Sequence, residues 1–207
     1  MYTPAAFTET DPAQIDAMIE AARLGLLVTH GPDGLHATHL PFLHEPANSC
    51  LIGHVARANP HRAKAGDGEA LVVLNGPDAY VSPRWYRSTA EGRRHVPTWN
   101  YEAVHLYGRL TWFEDRDGLR EVVGRLTALH EAYIAEPWSI EEADPAYLEG
   151  LLAGIVGVRF EISRIEAKRK LSQNRSAEDQ ASVISALEAS EDSRDHALAA
   201  RMRSRKT

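Results

Sequence analysis

The sequence predicts an α+β fold, mainly antiparallel β, in which a small barrel carries helices packed outside it. Three observations predict it. Short apolar runs are closed by turn residues such as Gly31-Pro32-Asp33-Gly34 and Gly76-Pro77-Asp78. Helical periodicity is confined to a few stretches. Strands and helices do not alternate in the regular rhythm of a doubly wound parallel sheet. A chain of 207 residues, 43% of them hydrophobic, can bury a sizeable core as one domain.

Asp11-Pro12-x-Gln14 opens the first helix, with Asp11 as N-cap, Pro12 in the first turn and Gln14 completing a capping-box-like pattern. Ile15, Met18, Ile19 and Ala22 give it one buried face. Leu24 to Thr29 reads as an apolar strand, and Leu35 to Leu43 returns as its hairpin partner. Pro41 cannot donate to a ladder, so it marks an edge or a bulge. Cys50 to Ala56 is a third strand, and a short helix follows Ala58-Asn59-Pro60. Ala70 to Leu74 and Ala79 to Ser82 read as two short strands about the Gly76-Pro77-Asp78 turn. Ser88 to His95 reads as an exposed loop, and Thr98 to Phe113 as mostly strand. Leu119 to His130 is helical, Ser139 starts another helix, and Ile155 to Ile162 is a long alternating strand. Ser176 caps a last helix through Leu187.

Composition narrows the function. The single cysteine, Cys50, makes no intramolecular disulfide and gives no sign of an oxidising compartment. Met1-Tyr2-Thr3-Pro4-Ala5 has neither a basic nor an apolar leader region, and no stretch has the length to span a bilayer, so the expected location is cytoplasmic. The net charge of -6 argues against direct nucleic-acid binding. The one basic cluster, Arg201, Arg203, Arg205 and Lys206, falls in a charged tail, residues 189–207, expected to be solvated and flexible.

No dinucleotide-binding glycine fingerprint, phosphate-binding loop, zinc-protease helix or nucleophile elbow is present. His36 and His39 lie three apart on a strand and face opposite sides, so no metal site is expected. Four segments carry chemistry. In Gly53-His54-Val55-Ala56-Arg57-Ala58-Asn59-Pro60-His61-Arg62 a strand gives way to a helix start flanked by two arginines, an arrangement suited to an anion; the bland reading is an Asn59 cap with solvated arginines. Tyr80-Val81-Ser82-Pro83-Arg84-Trp85-Tyr86 and Val96-Pro97-Thr98-Trp99-Asn100-Tyr101 collect aromatics beside Ser, Thr and Asn. That mixture suits a planar heteroaromatic ligand as well as a core. Glu166 to Arg175 is a dense polar stretch, either a solvated strand end or an arm reaching a phosphate or ring edge.

On these motifs, with Met1-Tyr2-Thr3-Pro4-x-x-Phe7, His36-Ala37-Thr38-His39-Leu40-Pro41 and Lys170-Leu171-Ser172-Gln173-Asn174, the chain resembles the PaiB-like family, known as FMN-binding negative transcriptional regulators. The motifs occur in order from Met1 to about Leu187. The resemblance implies a split β-barrel domain over residues 1–188, related to the pyridoxamine-phosphate oxidase group, with FMN at a homodimer interface. It implies that Arg57, Asn59 and Arg62 hold the phosphate. Thr38, His39 and Leu40, and the strand from Tyr80 to Ser82, would line the ring, with His54 in the same motif as Arg57. Trp85 and Tyr86 would stand beside them. Thr98, Trp99 and Asn100, with Lys170 and Gln173, would come from the partner subunit. One departure is Arg169, where the family pattern carries a Trp between two lysines.

The function implied is an FMN-binding split-barrel protein, acting as a flavin-dependent oxidoreductase or a redox-linked regulator. No acid, base or nucleophile is fixed by the sequence. Two alternatives stand: a transcriptional regulator of the PaiB type, and a haem-binding or haem-degrading split barrel with His39, His54 or His105 as an iron ligand.

Overall fold

The computed structural model describes residues 1–205. Its elements are β1 (Thr8–Glu9), α1 (Pro12–Ala21), β2 (Gly25–Gly31), β3 (Gly34–Leu40), β4 (Leu43–Glu45), β5 (Cys50–Ala56), α2 (His61–Lys64), β6 (Ala70–Val81), α3 (Arg87–Ala90), β7 (Thr98–Phe113), α4 (Arg116–Glu131), α5 (Pro145–Ala153), β8 (Ile155–Lys170), α6 (Ala177–Glu188) and α7 (Ser193–Ser204). The strands form one sheet in the order β3-β2-β6-β7-β8-β5-β4, with β1 added on β8. The ladders of β2 with β3 and β6, of β5 with β4 and β8, and of β1 with β8 are antiparallel. This is the expected α+β split-barrel class. No helix among the described residues is long and apolar enough to cross a membrane.

The chain divides into two compact units. One comprises Met1–Met18, Asn75–Val104 and the chain from Glu166 on; the other comprises Ile19–Leu74 and His105–Ile165. In the first unit the core gathers Ala79, Val81 and Tyr86 against Val183, Ile184 and Leu187 of α6 and Leu198, Ala199 and Met202 of α7. In the second, α4 packs Val122 and Leu126 on Leu43, Cys50 and Ile52, while Leu119 meets Ile140, Leu148 and Leu152.

Several local readings are corrected. Pro41 ends β3 at Leu40, and the chain resumes as β4 at Leu43. Gly76-Pro77-Asp78 is no turn: β6 runs through it. A Cβ on Gly76 would stand 2.8 Å from the Glu102 Cβ, so glycine is what lets the strand pass a large neighbour. Ser88 to His95 is an exposed loop only in its second half, Glu91 to Arg94. Its start belongs to α3, and Ser88 is 5% exposed. β8 does not stop at Ile162 but carries on to Lys170. Gln14 does not complete a capping box, because its side-chain oxygen accepts from Arg169 at 3.1 Å.

The charged tail is also revised. Ser193–Ser204 form α7, capped by Asp192, whose carboxylate accepts from the Arg194 N–H at 3.0 Å. Leu198, Ala199 and Met202 on its inner face are buried, while Arg194 and Arg203 are exposed. Lys206 lies outside the described residues. Leu198→Ala leaves a cavity in this core and is expected to destabilise the chain by about 2–5 kcal/mol in urea unfolding. A loss below about 0.5 kcal/mol, the usual size for an exposed position, would contradict the packed helix.

Candidate functional site

The candidate residues fall into two sets. Seven belong to the second unit: Thr38, His39, Leu40, His54, Arg57, Asn59 and Arg62. There β5 ends at Ala56 and the Asn59 N–H turns back to the Ala56 carbonyl at 2.9 Å. Pro60 fixes the backbone ahead of α2, and the Asn59 side-chain oxygen accepts from the His61 N–H at 2.9 Å. The amide nitrogen of the same side chain donates to the Thr38 hydroxyl at 3.2 Å. Thr38 in turn lies 2.8 Å from His61 Nδ1, and Thr29 lies 2.8 Å from His61 Nε2. A neutral imidazole, donating through one nitrogen and accepting through the other, satisfies both hydroxyls, whereas an imidazolium has no acceptor to offer.

His61 is 3% exposed, and burial, followed by the nearby His36, pushes its pKa below the usual histidine value. Its ring centroid lies 6.2 Å from those of His36 and Trp112. Two further imidazole nitrogens, His36 Nε2 and His54 Nδ1, are buried without a hydrogen-bond partner, and burial lowers the His54 pKa. His39 is exposed, and Leu40 at 2% exposure is a core side chain.

The arginines are engaged. Arg57 donates to the carbonyls of Ala153 at 2.8 Å and Ile155 at 3.1 Å. Arg57 and Arg62 both pair with Glu114, which holds that carboxyl below its ordinary range. A phosphate here has to compete with a carboxylate already in place.

Eight candidates belong to the first unit: Ser82, Trp85, Tyr86, Thr98, Trp99, Asn100, Lys170 and Gln173. Ser82 caps a 3-10 turn, its hydroxyl accepting from the Arg84 N–H at 3.3 Å. Trp85 packs on the core, and Tyr86 at 2% exposure is part of it. The Tyr86 ring lies 4.7 Å from the His95 ring, and the Arg175 guanidinium sits 5.0 Å from its centroid. Trp99 is 53% exposed and meets Tyr80 edge-to-face at 6.2 Å. Asn100 is 1% exposed and donates to the Ser172 hydroxyl at 2.8 Å. Lys170 donates to the Thr98 hydroxyl and the Trp99 carbonyl. Gln173 is spent on its own turn: it accepts from the Leu171 N–H at 2.7 Å and donates to the Arg169 carbonyl.

Ser88, His95 and Asp179 resemble a catalytic triad in composition but not in order. Ser88 donates both its hydroxyl, at 2.7 Å, and its N–H, at 2.9 Å, to Asp179, while His95 Nε2 is 2.8 Å from the Ser88 oxygen. Burial alone would raise the Asp179 pKa, but the two Ser88 bonds and the fields of His95 and Arg175 hold it low. The serine proton rests on a carboxylate, so this is a brace and not a nucleophile. Among the described residues no group of three or more His, Cys, Asp or Glu side chains could hold a metal ion.

Among the residues that the sequence does not single out are His61 and Glu114. His61 was visible in the Asn59-Pro60-His61 run, which was weighed for its arginines. Glu114 lies 57 residues from Arg57 and left no local signal.

The chain belongs to the family described as "Putative FMN-binding domain", which it matches over residues 1–164. It is similar to the Bacillus subtilis protein named Protease synthase and sporulation protein PAI 2, with 36% identity over 191 residues, covering 91% of this chain and 89% of the relative. A protein of Aspergillus fumigatus is 31% identical, with 91% of each chain covered. Among solved structures, the flavocytochrome Anf3 of Azotobacter vinelandii superposes with a TM-score of 0.61 at 16% identity, covering 84% of this chain and 74% of that one. The FAD and haem binding protein of Mycobacterium smegmatis gives a TM-score of 0.57 at 17% identity, covering 84% and 78%. At such identities these two structures establish a shared fold.

The two lowered histidines fix a pH dependence. Because the folded rings resist protonation, the unfolded chain binds more protons below about pH 6.5, so stability is expected to fall as pH drops through that point. An NMR titration of the imidazole resonances should place the His54 and His61 midpoints below the ordinary histidine value. A midpoint for His61 at or above that value would contradict the neutral ring between two hydroxyls.

Proposed function

We propose that this chain binds FMN as a cytoplasmic homodimer. The observation that carries the reading is the corner formed by Thr38, Asn59 and His61, a set of polar side chains held in fixed orientation near His36, whose Nε2 is buried without a partner. Buried polar atoms without partners are costly, and a ligand edge rich in carbonyls and ring nitrogens relieves that cost. Membership of a family described as FMN-binding supports FMN, and the names of two proteins sharing the fold, one binding FAD and haem and one a flavocytochrome, support a flavin.

In this reading Thr38 and Asn59 meet the flavin edge, with His39 and His54 at its margin. The exposed Trp99 and Tyr80, with Ser82 and Trp85, cover the ring from the partner subunit. Bound FMN supplies the redox chemistry. The residues of the chain bind it, orient it and exclude water. Any regulatory role follows from the flavin and not from direct contact with DNA, given the net charge of -6.

Titration of the purified chain with FMN should give saturable binding, a shifted visible band and quenched flavin fluorescence. Thr38→Val removes the hydroxyl that joins Asn59 to His61 and should weaken FMN about tenfold, or ~1.4 kcal/mol. A folded wild-type chain that takes up no FMN would refute the cofactor. An unchanged affinity in Thr38→Val would refute this corner as its site.

A further inference from the structure

In the first unit, Lys170, Arg175, Thr98, Asn100, Ser172 and Asn174 line one small cleft, closed by the Phe7 and Tyr86 rings. No acidic side chain lines it. That is unusual in a chain with 29 acidic and 23 basic residues, where Arg57, Arg62, Arg125, Arg169, Arg201 and Arg203 all pair with carboxylates. The Lys170 ammonium instead meets two neutral oxygens, those of Thr98 and of the Trp99 carbonyl. The carboxylate whose charge Arg175 feels, Asp179, is already committed to the Ser88 N–H and hydroxyl. Burial, then the charges of Lys168 and Arg175, lower the Lys170 pKa, so the ammonium sits in an uncompensated positive field.

The backbone here is also held for a purpose. Ser172 is 3% exposed and takes the left-handed conformation, φ 60°, which costs a non-glycine residue roughly 1 kcal/mol or more. The Asn100 amide and the Gln173 side chain hold the turn in place, and the Arg175 N–H closes it on the Ser172 carbonyl at 2.9 Å. The turn brings Lys170 at the end of β8 and Arg175 beyond it to the same cleft. The Arg175 guanidinium carbon lies 5.0 Å from the Tyr86 ring centroid, a contact with the ring face that uses none of its N–H donors.

We infer that the Lys170–Arg175 cleft is a phosphate-binding site. A planar guanidinium edge, a lysine point charge and neutral donors from Asn174 and Thr98 match a tetrahedral oxyanion. Two sources carry that group: the phosphate of the flavin itself, which rests on the reading of the chain as an FMN binder, or a separate phosphorylated ligand, which does not. The cleft is the better phosphate site than the Arg57–Arg62 pair, since Glu114 already bridges those two guanidinium groups and cancels one of their charges.

The test uses the full chain, with Lys170→Met and Arg175→Gln as independent variants whose folding is checked by circular dichroism. Inorganic phosphate, FMN and riboflavin are titrated at constant ionic strength. If the cleft holds the flavin's phosphate, each variant weakens FMN tenfold or more and leaves riboflavin unchanged. If it holds a separate ligand, wild type binds inorganic phosphate saturably, both variants lose that binding, and FMN affinity is unaltered. A wild-type chain that binds phosphate but neither flavin refutes the flavin reading and keeps the site. A wild type indifferent to phosphate, together with variants that bind FMN as wild type does, overturns the inference.

Discussion

One buried carboxylate organises the first unit. Glu102 is 2% exposed and accepts from Arg169 Nε at 2.7 Å and Arg201 Nε at 2.9 Å. Arg169 reaches on to Glu9 at 3.3 Å and to Gln14. Four distant stretches of chain therefore meet at one charge: the N-terminal segment, β7, β8 and α7. Burying a lone carboxylate is prohibitive, and removing one partner of such a knot costs about 3–5 kcal/mol, so all four segments must be in place together. Gly76 is part of the same constraint, because no larger residue lets β6 run beside Glu102.

The knot also sets the chemistry beside it. Thr98, Asn100 and Glu102 alternate along one face of β7, and Lys170 directly follows Arg169 on β8. Fixing Glu102 to Arg169 thus fixes the register at which Thr98 meets Lys170 and Asn100 meets Ser172. The second unit solves a related problem without charge. His61 is buried neutral between two threonines, and its cost is met by hydrogen bonds alone. One unit therefore offers a cationic cleft, and the other a corner of oriented neutral donors and acceptors. Those are the two kinds of group that a phosphate and a ring edge need.

Much of this was legible in the sequence where the signal is local. The Gly31–Gly34 hairpin, β5, α4 and α6 with its Ser176 cap follow from turn chemistry, alternation and helical spacing. Pro41 marked an irregularity, an edge or a bulge, where the strand in fact ends. What escaped depends on partners far away in the chain. Gly76-Pro77-Asp78 has every local mark of a turn, and only Glu102, 26 positions on, explains why it is strand. The residues of α7 look like a solvated tail until α6 is there to cover their apolar face. Arg57 and Arg62 read as free cations because Glu114 is remote, whereas for Lys170 and Arg175 the sequence leaves a solvated strand end and a phosphate-reaching arm equally open. The family motifs marked the right neighbourhoods, and only the folded chain separates the engaged cations from the unpaired ones.

The central claim is that the chain binds FMN as a homodimer. Sedimentation velocity with FMN, followed at both the protein and the visible flavin absorbance, tests it most directly. The account predicts that the flavin signal co-sediments with a boundary of twice the chain mass. Flavin left at the free-ligand position above a sedimenting protein boundary would contradict it, as would flavin carried by a monomer.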